Sequence, residues 1–216
     1  MAKAVIFDMD GVIVDTEPGY FRCINHVLGL HGKSISKELN NKFIGVSNNR
    51  MWTSVINHFQ INTTIEDCMD EMWRFREQMI EEEGLHPIDG TIELIQKLHA
   101  NKVPLAVASS SPKDEIKRVV KLFEIEPYFD MLMSGEDCVE SKPHPDIFLY
   151  TAKGLKKNPK ECLVIEDSRN GVIAAKKAGM KAIGYCNPEF GLPSLPEADI
   201  EVNSIHKITT ELCLDM

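Results

Sequence analysis

Apolar runs and amphipathic stretches alternate along most of the chain. After a first apolar run at 3–9, the pattern from residue 91 onward switches regularly between helical and strand-like segments. The segments predicted as helices are 91–100, 112–123, 145–154, 169–178 and 204–214, and those predicted as strands are 103–108, 129–133, 162–166 and 181–185. Alternating βα units are typical of a doubly wound parallel sheet. The sequence therefore predicts an α/β fold with a Rossmann-like core, in which 187–199 form a loop.

The strand pattern disappears between residues 20 and 83. Apolar side chains recur there at helical spacing, as at Met51, Val55 and Phe59, without a run of β-branched residues. Because the first strand precedes this stretch and the other strands follow it, we expect an inserted all-helical domain. We assign residues 1–16 and 87–216 to an α/β core and residues 17–86 to a helical cap. A cap in this position can open and close over a site.

Polar clusters follow the apolar runs or lie between elements. They are Asp8 and Asp10, Ser109 and Ser110, Lys142, and Glu166 and Asp167. In open parallel sheets, ligands bind outside the carboxyl ends of the strands. One edge of the sheet would therefore gather acids, hydroxyls and a lysine, which suits a metal ion and an anion. The natural anion is phosphate.

The Asp-x-Asp-Gly segment has a plain reading as a turn. Two carboxylates at a strand end can also differ in environment, so that one binds metal while the other carries a proton. A calcium loop needs an acid or amide at its fifth position and a glutamate at its twelfth. Val12 and Gly19 stand at those positions, which excludes that reading.

The serines after the second strand also have two readings. Ser111 and Pro112 suit the N-cap and the first position of a helix, so we expect Ser111 only to cap. Ser109 lies closer to the strand end, where its hydroxyl and nearby backbone N–H groups can hold a phosphate.

The remaining charges are open to similar alternatives. A lone lysine is usually a solvated charge, but Lys142 is followed by Pro143 and leads into a helix, which favours anion binding. Glu166 and Asp167 precede a helix, where acids often interact with its dipole. Alternatively, they complete an oxygen-rich magnesium shell.

Charge and cysteine content exclude several classes of function. The chain has 24 Lys and Arg against 33 Asp and Glu, a net charge of −9, and no basic tract. Such a chain is a poor candidate for binding nucleic acid or an anionic membrane. Six scattered cysteines predict neither a disulfide framework nor a zinc site. With no signal-peptide or membrane-span pattern, we expect a cytoplasmic monomer that acts on a small phosphate ester.

Four segments together resemble the haloacid dehalogenase superfamily of phosphotransferases. They are Phe-Asp-Met-Asp-Gly-Val at 7–12, Ala-Ser-Ser-Ser at 108–111, Lys-Pro-His-Pro-Asp-Ile-Phe at 142–148 and Glu-Asp-Ser-Arg-Asn-Gly at 166–171. The resemblance spans nearly the whole chain and is greatest to the β-phosphoglucomutase-like and sugar-phosphate phosphatase subgroup, which carries a small helical cap.

The resemblance implies a set of roles. Asp8 would be the nucleophile that forms an aspartyl phosphate, and Asp10 would be the general acid and then the general base. Mg²⁺ would be the cofactor, held by Asp8, the backbone carbonyl of Asp10 and Asp167, with Glu166 contributing. The other implied site residues are Ser109, Ser110 and Lys142 for the phosphoryl group, and Thr16, Glu17, Asn48 and Arg50 for the substrate on the cap side.

Three functions compete within this resemblance. A mutase needs a cation for a second phosphate, usually a cap arginine directly after Gly-Val-Ser. Here Asn48 takes that position and Arg50 is displaced by two residues. The segment 15–18 (Asp-Thr-Glu-Pro) is similar to the phosphatase members. We therefore expect a Mg²⁺-dependent phosphatase of small phosphorylated metabolites such as sugar phosphates, with a sugar phosphomutase as the alternative. A non-catalytic binding protein is disfavoured because the implied nucleophile, acid and metal ligand are all present.

Overall fold

The described residues form one parallel sheet of six strands. The computed structural model describes residues 3–43, 46, 48–188 and 194–216, apart from the side chain of Glu17. The strands are β1 Ala4–Phe7, β2 Leu105–Ser109, β3 Met131–Ser134, β4 Cys162–Glu166, β5 Lys181–Tyr185 and β6 Ile200–Val202. They lie in the order β3-β2-β1-β4-β5-β6, and every neighbouring pair is parallel. The predicted doubly wound α/β fold is thus confirmed.

Helices account for most of the remaining described chain. They are α1 Glu17–Gly29, α2 Lys37–Asn40, α3 Asn48–Phe59, α4 Ile65–Glu83, α5 Thr91–Ala100, α6 Lys113–Leu122, α7 Asp146–Gly154, α8 Arg169–Lys177 and α9 Thr210–Asp215. The central strands β1, β2 and β4 are buried along their whole length, since helices cover both faces of such a sheet. No helix in the described ranges has both the length and the hydropathy that a membrane span requires.

The chain divides into two compact units. The sheet unit comprises Met1–Asp15 with His86–Met216, and the helical unit comprises Thr16–Leu85. Each unit has an apolar core of its own. Phe148 and Val164 belong to the core of the sheet unit, and Trp52 and Met72 to that of the helical unit. That the helical unit works as a cap stays a prediction.

Two details near the C-terminus differ from the sequence-based prediction. The short strand β6 follows the predicted loop, and the predicted helix 204–214 is two segments. A 3-10 turn spans Ile205–Lys207, and α9 begins only after Thr209, whose Oγ1 accepts a hydrogen bond from the N–H of Leu212. A cap at Thr209 explains the late start, because a capping residue has non-helical backbone angles.

Candidate active site

A tight turn follows β1 and takes the chain out of the sheet. The N–H of Asp8 still donates to the carbonyl of Ile165, at 3.0 Å, so Asp8 extends the pairing of β1 with β4. The carbonyl of Met9, the residue after Asp8, accepts a hydrogen bond from the N–H of Val14 at 3.0 Å, and this bond closes the turn. Met9 is fully buried in the core. Asp10, the residue after Met9, pairs with Val14 in an isolated parallel bridge.

Three carboxylates meet where β1 and β4 end. Asp8, Glu166 and Asp167 are all buried, and each offers a ligand oxygen within 4.8 Å of the others. The parallel register explains this arrangement, since Phe7 pairs with Ile165 and the acids follow directly on both strands. The N–H of Ser168 donates to Oε2 of Glu166 at 2.7 Å.

Lys142 joins two of these carboxylates. Its Nζ lies 2.6 Å from Oδ1 of Asp8, 2.6 Å from Oε1 of Glu166 and 3.3 Å from the carbonyl oxygen of Ala108. Its side chain is only 7% exposed, with Nζ 5.1 Å from the centre of the Phe148 ring. Burial opposes the charge on this amine, but the two carboxylates outweigh burial and raise the pKa of Lys142 above its ordinary value. Lys142 is therefore a fixed cation.

The cluster carries more negative charge than one ammonium group balances. Burial, reinforced by the charges of Glu166 and Asp10, raises the pKa of Asp8 to about 8 despite the opposing effect of Lys142. When Asp8 releases its proton, three ionised acids face one lysine and two negative charges stay uncompensated, which is the charge that a divalent cation neutralises. An all-oxygen donor set of carboxylates suits Mg²⁺.

Two glycines make room for the carboxylates. A Cβ on Gly11 would collide with Oδ2 of Asp167, and a Cβ on Gly171 would collide with Oε1 of Glu166. Gly11 also has a φ of 78°, which favours glycine on its own account. The carboxylates of Asp167 and Glu166 thus pack directly against the backbone of these glycines. The donor set fits the magnesium site that the family resemblance implies.

The second polar group gathers at the end of β2. Ser109 is fully buried, and its Oγ lies 3.2 Å from Oδ2 of Asp10. Oγ of Ser111 lies 2.7 Å from the same oxygen, and the N–H of Ser111 donates to Oγ of Ser109 at 3.0 Å. Ser110, between them, is exposed. The structure thus brings Asp10 to the predicted phosphate-binding segment.

Ser111 does not have the role that the sequence predicted for it. Helix α6 begins at Lys113 with Pro112 at the N-cap position, and Ser111 contacts Asp10 instead of capping the helix. The Ser-Pro pair gives the same local signal whether Ser111 caps the helix or contacts Asp10. The contact with Asp10 could be inferred only from the pairing of β2 with β1, which places residues 109–111 near Asp10.

The residues predicted on the cap side belong to the helical unit. Thr16 is buried before α1 and forms no side-chain cap. Asn48 opens α3, and Arg50 is exposed within the first turn of that helix. The side chain of Glu17 lies outside the described part of the structure, as do residues 45 and 47 of the Gly-Val-Ser segment. Their contribution to substrate binding stays a prediction.

Comparisons with known proteins identify the family of this chain. Residues 5–185 match the family model described as haloacid dehalogenase-like hydrolase. The chain is 32% identical over 181 residues to the phosphorylated carbohydrates phosphatase of Thermotoga maritima, covering 84% of this chain and 83% of the relative. It is 30% identical over 211 residues to hexitol phosphatase B of Escherichia coli K12, covering 96% and 95%. The crystal structure of β-phosphoglucomutase from Clostridium difficile superposes with a TM-score of 0.80 at 27% identity, covering 98% and 95%.

The chain therefore belongs to the haloacid dehalogenase-like hydrolases. The predicted family is confirmed, and so is the prediction that this protein is an enzyme.

Proposed function

We propose that this protein is a Mg²⁺-dependent phosphatase that hydrolyses small phosphorylated metabolites, sugar phosphates foremost, through an aspartyl phosphate on Asp8. The observation that carries the proposal is the buried cluster in which Lys142 contacts Asp8 and Glu166 beside Asp167. Relatives named as phosphatases of phosphorylated carbohydrates and of hexitols support the substrate class.

The candidate metal ligands differ in whether their carboxylate oxygens already accept hydrogen bonds within the protein. Oε1 of Glu166 accepts from Lys142 and Oε2 accepts from the N–H of Ser168, so we assign Glu166 mainly to holding Lys142 in place. Asp8, Asp167 and the backbone carbonyl of Asp10 would hold Mg²⁺ directly. When bound, the ion would offset the negative charge of the transferring phosphoryl group.

The first half-reaction transfers the phosphoryl group to the protein. A carboxylate oxygen of Asp8 forms a bond to phosphorus while the bond to the leaving oxygen breaks. The electron pair of that bond stays on the leaving oxygen, which takes a proton from Asp10. Lys142 offsets the repulsion between the Asp8 carboxylate and the phosphate, and Ser109 and Ser110 donate to the phosphoryl oxygens.

The second half-reaction restores the enzyme. Water attacks phosphorus, and the Asp10 carboxylate takes a proton from that water. The bond between phosphorus and Asp8 breaks with its electron pair returning to the carboxylate. Inorganic phosphate leaves, and both aspartates are back in their starting protonation states.

The experiment that tests this function follows phosphate esters by ³¹P NMR. Orthophosphate should appear from a panel of sugar phosphates with Mg²⁺, and a chelator or Asp8→Asn should abolish it. Asp114→Asn is the matched control, since Asp114 is an almost fully exposed acid at the start of α6. Activity that survives Asp8→Asn contradicts the proposal.

A sugar phosphomutase is the second candidate, because the structure superposes well on a β-phosphoglucomutase. The same spectra separate the two. Conversion of β-glucose 1-phosphate to the 6-phosphate without orthophosphate, stimulated by a bisphosphate, would establish the mutase. Loss of that conversion in Arg50→Ala would then give Arg50 the role of the missing cap arginine.

A further inference from the structure

Oδ2 of Asp10 accepts hydrogen bonds from two serines of the segment that follows β2. Ser111 contributes the shorter bond, at 2.7 Å, and Ser109 the longer one, at 3.2 Å. Ser109 also stands in the predicted phosphate site, so its single hydroxyl proton cannot remain on Asp10 once it is donated to a phosphoryl oxygen. Ser111 is then the hydroxyl that still holds Asp10.

Ser111 is itself rigidly placed. Its carbonyl accepts a hydrogen bond from Oγ of Ser134 at 2.7 Å, and its N–H donates to Oγ of Ser109 at 3.0 Å. Ser109 and Ser134 are both fully buried and face each other across the β2–β3 pair. The N–H of Glu136 donates to Oγ of Ser134 at 3.1 Å. Buried strand ends thus fix the backbone of Ser111 on both sides.

We propose that Ser111 is a positioning residue for Asp10, holding Oδ2 so that Oδ1 carries the proton exchanged with the leaving group and with water. The inference rests on the proposed phosphatase mechanism and adds a residue to it. A carboxyl group held at one oxygen by a hydroxyl donor presents its other oxygen for proton transfer, and proton transfer is efficient only when the group is correctly placed.

Leaving-group chemistry separates this role from a structural one. An alkyl phosphate needs a proton on its departing oxygen, whereas p-nitrophenyl phosphate releases a stable anion and needs little help. We compare kcat/KM for the two esters, since this ratio reports formation of the phosphoenzyme and not its hydrolysis. Ser111→Ala should lower kcat/KM about tenfold for a hexitol phosphate and less than about twofold for p-nitrophenyl phosphate.

Three further variants complete the test. Ser111→Thr keeps the hydroxyl and should restore the alkyl ester activity. Ser134→Ala removes the donor to the Ser111 carbonyl and should give a smaller loss with the same selectivity for the alkyl ester. Ser194→Ala is the control, because its exposed Oγ also bonds a carboxylate, Glu201, at 2.8 Å in the same unit.

The outcomes are distinct. A selective loss that threonine repairs supports the positioning role, and an equal loss on both esters, or none, overturns it. Asp8→Asn is assayed beside these variants. If it is inactive while Ser111→Ala shows no selectivity, the inference fails and the phosphatase mechanism stands. If Asp8→Asn remains active, the mechanism itself fails.

Discussion

Gly11 and Asp167 lie so close that the Asp167 carboxylate occupies the space that a Cβ on Gly11 would need. The turn after β1 and the first residue after β4 therefore fit together only because residue 11 is glycine. A sequence motif that suggests a flexible turn is, in the fold, a packing requirement of the acid cluster.

Gly11→Ala should weaken the binding of Mg²⁺. The new Cβ must displace the Asp167 carboxylate, so we expect the Mg²⁺ concentration for half-maximal activity to rise about 10- to 100-fold. Calorimetric titration of Mg²⁺ into the purified variant checks the same shift without an activity assay.

Gly179→Ala is the matched control for this change. Gly179 has the same φ of 78°, but no heavy atom lies within 4 Å of the position that a Cβ would take there. Both variants should lose about 1–2 kcal/mol of unfolding free energy from the left-handed backbone. Only Gly11→Ala should change the Mg²⁺ dependence, and an unchanged dependence there would contradict the role given to this contact.

Much of the fold could be predicted from the sequence because buried parallel strands leave long apolar runs. The strand at Cys162–Glu166 is an example, since all its residues are buried. The strand Ile200–Val202 could not be predicted in the same way. It has three residues and only Val202 is buried, so its pairing with β5 at the sheet edge leaves almost no pattern.

The acids and the lysine were detectable because each follows or precedes an element with a clear pattern. The separate role of each side chain could not be predicted, because it depends on which individual atoms form hydrogen bonds. That Oε1 and Oε2 of Glu166 bind Lys142 and the N–H of Ser168 follows from rotamers and loop geometry. The contact of Ser111 with Asp10 spans 101 residues of chain, and local capping signals carry no information on it.

Lys142→Met should cost both activity and stability. The variant leaves two buried carboxylates, on Asp8 and Glu166, without their shared ammonium partner. We expect kcat/KM to fall at least about 100-fold. The metal-free protein should lose about 3 kcal/mol of unfolding free energy, as measured by urea denaturation.

Lys176→Met provides the comparison for that loss. Lys176 also forms an ion pair at 2.6 Å, with Asp199, but its side chain is 35% exposed. Solvent screens such a pair, so the variant should lose less than about 1 kcal/mol and keep its activity. Equal effects of the two variants would mean that burial of Lys142 is unimportant.

The metal-free protein should become less stable as the pH rises from about 4 to about 8. Burial raises the pKa of Asp8 from 3.8 to about 8, so the folded state holds a proton across this window that the unfolded state has released. The unfolded state then binds fewer protons, and the unfolding free energy falls with rising pH. Urea denaturation in the presence of a chelator, at several pH values in the window, measures this slope.

Asp8→Asn removes the titrating group and should flatten the slope, whereas Asp114→Asn should leave it unchanged. Mg²⁺ competes with the proton on Asp8, so adding it should stabilise the wild-type protein more at the alkaline end of the window. A wild-type slope that Asp8→Asn fails to reduce would show that other groups govern the pH dependence.

Ser109→Ala should weaken phosphate binding for every ester. Ser109 is buried at the end of β2, and its hydroxyl is predicted to donate to the phosphoryl group and not to the leaving oxygen. We expect kcat/KM to fall about tenfold for both a hexitol phosphate and p-nitrophenyl phosphate, with a matching rise in the inhibition constant of inorganic phosphate. Ser109→Thr keeps the hydroxyl and is the conservative comparison. Ser111→Ala should leave kcat/KM for p-nitrophenyl phosphate almost unchanged. If Ser109→Ala also left it unchanged, Ser109 would act on Asp10 and not on the phosphoryl group.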